Sequence, residues 1–488
     1  MSYQLDSSVA EKLKLFFSQF DFIDKVVIFG SRAKHNANPK SDIDLCIYSL
    51  EMTAKEFTKL KIELDELPIL YKIDIVHFEN SNDELKKNIV KDGKLFFNRT
   101  VQLTNVCELQ GGSQPPKSEW NDKKLDGYVR MLQIRDFTQG KDKYIQYVKD
   151  AKKLKKCTQT DILIGRYGAS IGKILTGLEG AYNVAMMKVT PSEKIDREYL
   201  YHFLKGSLFQ NAIASIGSRA AQAGFNKEDL SKINIPLPSL TKQKQIAKTL
   251  DKAQELIELR KESIKKLDAL SKAIFIDMFG DPINNPMGWK VKKLKELSTH
   301  ILSGNTPKGG SQVYVKKGIL FFRSQNVWKN KILLDDIAFI DNETHLKMKK
   351  SSLKYKDILI TKTGRINTEN SSLGRASLFL GKDDSANING HVYLVRLKKS
   401  MVHEFIVYIL TTDEYREYIR SVCVGGIDKR QINKIHLEEF PIIFPTLELQ
   451  KKFSFKIQKI EQQKNLYEEQ LTKLRENFDA LLAQSFKV

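Results

Sequence analysis

INIPLPSLTKQKQIAKTLD, residues 233–251, and FPIIFPTLELQKKFSFKIQ, residues 440–458, are two versions of one sentence. Pro238 pairs with Pro445 and Gln243 with Gln450 at a constant offset of 207. Just upstream, FNKEDLSKI from Phe225 matches IDKRQINKI from Ile427. Earlier still, Asp161-Ile162-Leu163-Ile164 and Asp357-Ile358-Leu359-Ile360 each lead into a Gly/Arg-rich stretch. A duplication this long means two copies of one structural unit.

Each copy ends in a helical pattern. Ile246, Leu250, Ala253, Ile257, Arg260, Ile264, Leu267, Ser271, Ile274 and Met278 alternate spacings of four and three. Phe453, Ile457, Ile460, Lys464, Tyr467, Leu471, Leu474, Phe478, Leu481 and Ser485 keep the same register, shifted by 207. Such spacing lays one seam along each helix and favours coiled-coil pairing. About 40 residues at 1.5 Å each make a rod of roughly 60 Å. Gly280-Asp281-Pro282 stops the first helix. Before each helix, short β-type runs alternate with glycine and polar turns, the mark of a compact α/β domain.

The 488 residues carry a formal charge of +21. Residues 1–98 hold 14 basic and 16 acidic side chains, leaving 66 basic and 43 acidic groups for the rest. The whole excess therefore follows the first domain, where it suits a polyanionic partner. Cys46, Cys107, Cys157 and Cys423 are scattered with no CxxC pair, which argues against a zinc site or disulfide framework and suits a reducing cytoplasm. No apolar run reaches the length of a membrane span, and the N-terminus lacks a signal-peptide layout.

The duplicated part, about 390 residues, resembles the specificity subunit of type I restriction-modification enzymes. The resemblance rests on LQGGSQPP and LSGNTPKGG (from Leu109 and Leu302), on GYVRMLQIRDF and GILFFRSQNV (from Gly127 and Gly318), and on DILIGRYGASIGK and DILITKTGRIN. It rests above all on their order, met twice and each time running into a long helix. The resemblance implies two α/β target recognition domains, 99–240 and 281–445, separated by two long antiparallel coiled-coil helices, 241–280 and 446–488. It also implies that each domain reads one half of a split double-stranded DNA target. Two modification (methyltransferase) subunits would dock along the helices and supply S-adenosylmethionine, and restriction subunits would bring ATP.

Side chains suited to base edges and phosphates are Arg130, Gln133, Arg135, Arg166, Tyr167, Lys173, Arg219 and Gln222 in the first domain. In the second they are Lys308, Arg323, Gln325, Asn326, Lys362, Arg365, Lys429 and Arg430. No Asn/Asp-Pro-Pro-aromatic methylation motif occurs in the chain, and GASIGK (168–173) lacks P-loop spacing and reads as a turn between strands.

Residues 1–98 carry a different signal. VVIFGSRAKHNANPKSDIDLCIYS sets Gly30-Ser31 after an apolar strand and Asp42 and Asp44 on the next. Residues two apart on a strand share a face, so these carboxylates converge. Asp74 in YKIDIVHF is a third. Three carboxylates can hold Mg²⁺, and Gly30 lets the backbone approach a phosphate. The stretch resembles the minimal nucleotidyltransferases of the polymerase-β superfamily, with HNAN replacing a glycine usual after Arg32. That resemblance implies metal binding and catalysis by Asp42, Asp44 and Asp74, contact with a nucleoside triphosphate by Gly30 and Ser31, and an extra phosphate contact by Arg32. An alternative reading puts this enzyme first: an antitoxin-like nucleotidyltransferase that the basic C-terminal region targets to DNA or a partner.

Overall fold

A computed structural model describes residues 3–217, 224–366, 368, 370–426 and 428–487. The fold is mixed α and β and divides into two compact units. One holds Met1–Glu258 with Thr472–Val488, the other Leu259–Leu471, so each contains part of both long helices. No helix among the described residues is long and apolar enough to cross a membrane.

The first unit begins with a four-stranded sheet in the order β3-β2-β1-β4, made of β1 (Lys25–Ile28), β2 (Ile43–Tyr48), β3 (Ile73–His77) and β4 (Lys94–Asn98). β2 and β3 run parallel, while β1 is antiparallel to both its neighbours. The β2–β3 crossover contains a helix, Ala54–Asp65, whose start Thr53 and Glu56 fix with a reciprocal capping box. This sheet domain is packed onto its neighbour. Arg99 alone separates β4 from the next strand, Thr100–Gln102, and it pairs with Asp21. Buried Asp24 accepts a hydrogen bond of 2.7 Å from the Ser239 amide at the start of the first long helix.

Two sheets, one antiparallel and one mixed, build the first α/β domain. One orders Ile174–Leu175, Ile162–Gly165, Met186–Pro191 and Cys107–Gly111; the other includes Gly180–Tyr182 parallel to Tyr128–Leu132. GASIGK forms a 3₁₀ turn at Gly168–Ser170 between strands, as its spacing predicts. In the second unit the plan recurs. Ala376–Leu378, Ile358–Thr361, Val392–Leu397 and Ser298–Ser303 repeat the first sheet, and Ala386–Ile388 lies parallel to Ile319–Phe322. Each domain is closed by a pairing of its first and last strands: Thr100–Gln102 with Asn234–Pro236, and Val291–Lys293 with Pro441–Ile443.

The repeated Pro-x4-Gln now has a physical meaning. Gln243 and Gln450 are both fully buried, and each side-chain amide donates to the carbonyl of its proline, Pro238 at 2.8 Å and Pro445 at 2.9 Å. The motif ties the last domain residues to the first helical turn. The helices span Leu240–Phe279 and Leu447–Ser485, and every seam position named above is buried or half-buried. Within the second unit they run antiparallel. Phe275 and Phe279 meet Phe453, Asp268 pairs with Lys464, and Arg260 stacks 4.1 Å over Tyr467. All four cysteines are buried and free.

Candidate functional site

In the N-terminal domain, β1 delivers Gly30 at φ +69°, a conformation natural to glycine. A Cβ on Gly30 would lie 2.2 Å from the Asp44 carboxylate, so only glycine lets the two approach. The parallel register sets Asp44 opposite Asp74. Burial, then the charges of Asp74 and Asp42, push the Asp44 carboxyl above the ordinary carboxylate range. A cation already sits among these groups: Lys72 Nζ lies 2.7 Å from Asp74 and 3.7 Å from Asp42.

Among the described residues no three carboxylate, His or Cys side chains are arranged to ligate a metal. The donor chemistry nevertheless suits a hard divalent cation. Asp42, Asp44 and Asp74 are hard oxygen donors, the Lys72 ammonium stands in for a cation beside two of them, and the absence of a Cβ on Gly30 keeps the space at Asp44 open.

Arg32 corrects the sequence expectation. It is 5% exposed, its guanidinium donates to the carbonyls of Gln4, Ser41 and Asp42, and it stacks 4.5 Å from the Tyr71 ring. It ties the Gly-Ser turn to the strand entry with three of its five N–H donors, and its burial sets it in a structural place and not on a surface open to phosphate.

In the first recognition domain the structure gathers Gln133 and Arg135. Both donate to Gln146 Oε1, at 2.9 and 2.8 Å, and Gln146 in turn reaches Asp122. Arg130 is turned inward on Asp136 and the Lys141 carbonyl. Arg166 lies 5.0 Å over exposed Tyr167, and Lys173 is exposed nearby in sequence. Arg219 and Gln222 fall outside the described residues.

The second domain repeats this turn with different side chains. The Gln133 amide donates to the Asp136 carboxylate, and the Arg323 amide donates to the Asn326 side chain. Asn326 therefore does the work of Asp136. It is 1% exposed and its amide is spent on the Leu333 and Asp336 carbonyls, which removes it as a base-reading group. The two residues that the turn presents, Gln133 and Arg135, become Arg323 and Gln325, and both of the latter bond to Asp336.

Elsewhere in this domain, Lys308 is exposed and Lys362 is half-buried. Exposed Arg365 stands directly opposite exposed Lys429 in an antiparallel pair, with Arg430 beside it bonded to the Arg420 carbonyl. Sequence reading missed Gln146, Asp336 and Lys72, the groups that hold the others. For Lys72 the signal existed: it stands two residues before Asp74, hence on the same face.

Two α/β domains of one design, each feeding a long helix through the same Pro-x4-Gln lock, define a tandem recognition-domain protein carrying a nucleotidyltransferase-like sheet in front. Residues 98–269 and 286–476 match the type I restriction modification DNA specificity domain, and residues 11–102 match the polymerase beta nucleotidyltransferase domain. The chain belongs to the type I restriction modification DNA specificity family. The MjaVIII specificity subunit of Methanocaldococcus jannaschii is 26% identical over 357 residues, 70% of this chain and 81% of that one. The StySPI specificity subunit of Salmonella potsdam is 23% identical over 417 residues, 80% of this chain and 88% of that one. A chain of a solved type I R-M system assembly shares the fold with a TM-score of 0.50 at 19% identity, covering 80% of this chain and 97% of its own.

Proposed function

We propose that this chain is the DNA-reading specificity subunit of a type I restriction-modification system. Each recognition domain reads one half of a split duplex target, and the helices set the gap between halves. The observation that carries this reading is the duplication itself: two copies of one specificity domain, each tied to its long helix by the same glutamine-to-proline hydrogen bond. The paired presenting positions add to it. Gln133 and Arg135 in one copy stand where Arg323 and Gln325 stand in the other, and arginine favours guanine while glutamine favours adenine. One scaffold thus offers two different half-sites.

Arg365 opposite Lys429 costs stability in the free protein, since like charges face each other across the strands, and a phosphate backbone relieves that cost. Tyr167, Arg166, Lys173, Lys308, Lys362 and Arg430 supply further positioning contacts. Two modification subunits docked along the helices bring S-adenosylmethionine, and restriction subunits bring ATP; the assembly works in the cytoplasm. Methylome sequencing of a host carrying the gene and its neighbours tests this. A bipartite adenine-methylated motif should vanish on deletion of the gene, and an unchanged methylome beside an active methylase would refute the reading.

The close approach of Gly30 to Asp44 supports a second activity, transfer of a nucleoside monophosphate to a hydroxyl. Asp42, Asp44 and Asp74 would hold Mg²⁺, whose charge when bound would offset that of the triphosphate and of the attacking oxygen. Gly30 and Ser31 would orient the phosphates. Incorporation of label from an α-labelled nucleotide, lost in Asp44→Asn, is the corresponding assay.

A further inference from the structure

Lys72 stands one residue before β3 and two before Asp74, with its side chain 67% exposed. Its ammonium is 2.7 Å from Asp74 Oδ2 and 3.7 Å from Asp42 Oδ2. These are ion pairs to two of the three carboxylates that the second activity needs, and one flexible lysine makes both. Asp44, the third, lies against Gly30, and among the described residues the ion pairs of Lys72 are those to Asp42 and Asp74. Arg32, the other cation in the neighbourhood, is fixed on three backbone carbonyls. The lysine therefore occupies, with one charge, a place where a divalent ion would need those same oxygens.

We propose that Lys72 is a resident counter-ion that competes with the divalent cation for Asp42 and Asp74, so that the site is closed to metal until the ammonium swings away. The proposal rests on the carboxylate reading above. An exposed lysine on a four-carbon stem moves between rotamers readily, so the closure is reversible. Two consequences follow. The free protein binds divalent metal weakly, and removing the lysine both frees the two carboxylates and deletes a repelling charge.

The test is binding of Mn²⁺ alone, followed by electron paramagnetic resonance on the full-length chain, in wild type, Lys72→Met, Lys72→Arg and Asp44→Asn. Circular dichroism melting confirms that each variant is folded. Wild type should show weak binding that Asp44→Asn abolishes, Lys72→Met should bind about tenfold more tightly or better, and Lys72→Arg should stay near wild type. If Asp44→Asn abolishes binding but Lys72→Met binds no tighter than wild type, the role of Lys72 is overturned and the carboxylate site stands. If neither wild type nor Lys72→Met shows Asp44-dependent binding, the carboxylate reading falls, and this proposal with it.

Discussion

Asp161 and Asp357 open the same Asp-Ile-Leu-Ile strand in the two copies, yet they are held differently. Asp357 is 1% exposed and receives both Nε and Nη2 of Arg396, at 2.8 and 2.6 Å. Asp161 caps the Thr158 amide and, among the described residues, is ion-paired to Lys188 at 3.5 Å, with its side chain 22% exposed. Removing Asp357 leaves a partly solvated Arg396 without its bidentate partner and the Lys354 amide without its acceptor. Asp357→Ala should therefore cost about 2–3 kcal/mol in chemical denaturation, and Asp161→Ala about 1 kcal/mol. Residue type told the sequence reader which side chains could serve DNA or phosphate. It could not tell burial, and there Arg32 and Asn326 departed from expectation. Both types also bond well to backbone carbonyls, and Arg32 satisfies three of them and Asn326 two. The Asp42-x-Asp44 pair was legible because residues two apart along a strand share a face, whereas the placing of Asp74 opposite Asp44 comes from the parallel pairing of β2 with β3, which no local pattern shows.

At the scale of elements, the seam of the long helices was fully legible. A 4-3 spacing has one geometric consequence, and even its polar members fit, with Arg260 stacked on Tyr467 and Lys464 paired to Asp268. The docking of helix Arg197–Lys205 onto the long helices was not legible. His202 on that helix is 1% exposed, bonds Asp251 on the first long helix at 2.7 Å and abuts Phe478 on the second. Burial holds its pKa below the ordinary 6.5, against the opposing pull of Asp251, while Lys205 lowers it and Glu198 raises it. The unfolded chain thus takes up the proton first as pH falls. Stability from this site is complete above about pH 6.5 and is lost below it, toward the depressed folded value. His202→Gln should shrink the drop in melting temperature between pH 7.5 and 5.5. An unaltered drop would mean that the ring does not titrate as its surroundings require.

At the scale of the molecule, the duplication carried most of the meaning. It gave two copies of one α/β unit and the family, while the hydrogen bonds that make locks of Pro238 and Pro445 are visible only in the fold. The packing of the N-terminal domain against the start of the first long helix was hidden, because Asp24 and Ser239 lie 215 residues apart. The confinement of excess positive charge to the duplicated part has its counterpart in the exposed Arg365 and Lys429 pair.

The central claim is that the paired helices fix the spacing of two independently read half-sites. One heptad inserted at matched points of both helices keeps the seam in register and adds roughly 10 Å. Methylome sequencing of a host carrying this variant should return both original half-sites with their gap widened by about three base pairs. An unchanged gap, or altered half-sites at the old spacing, would contradict the account.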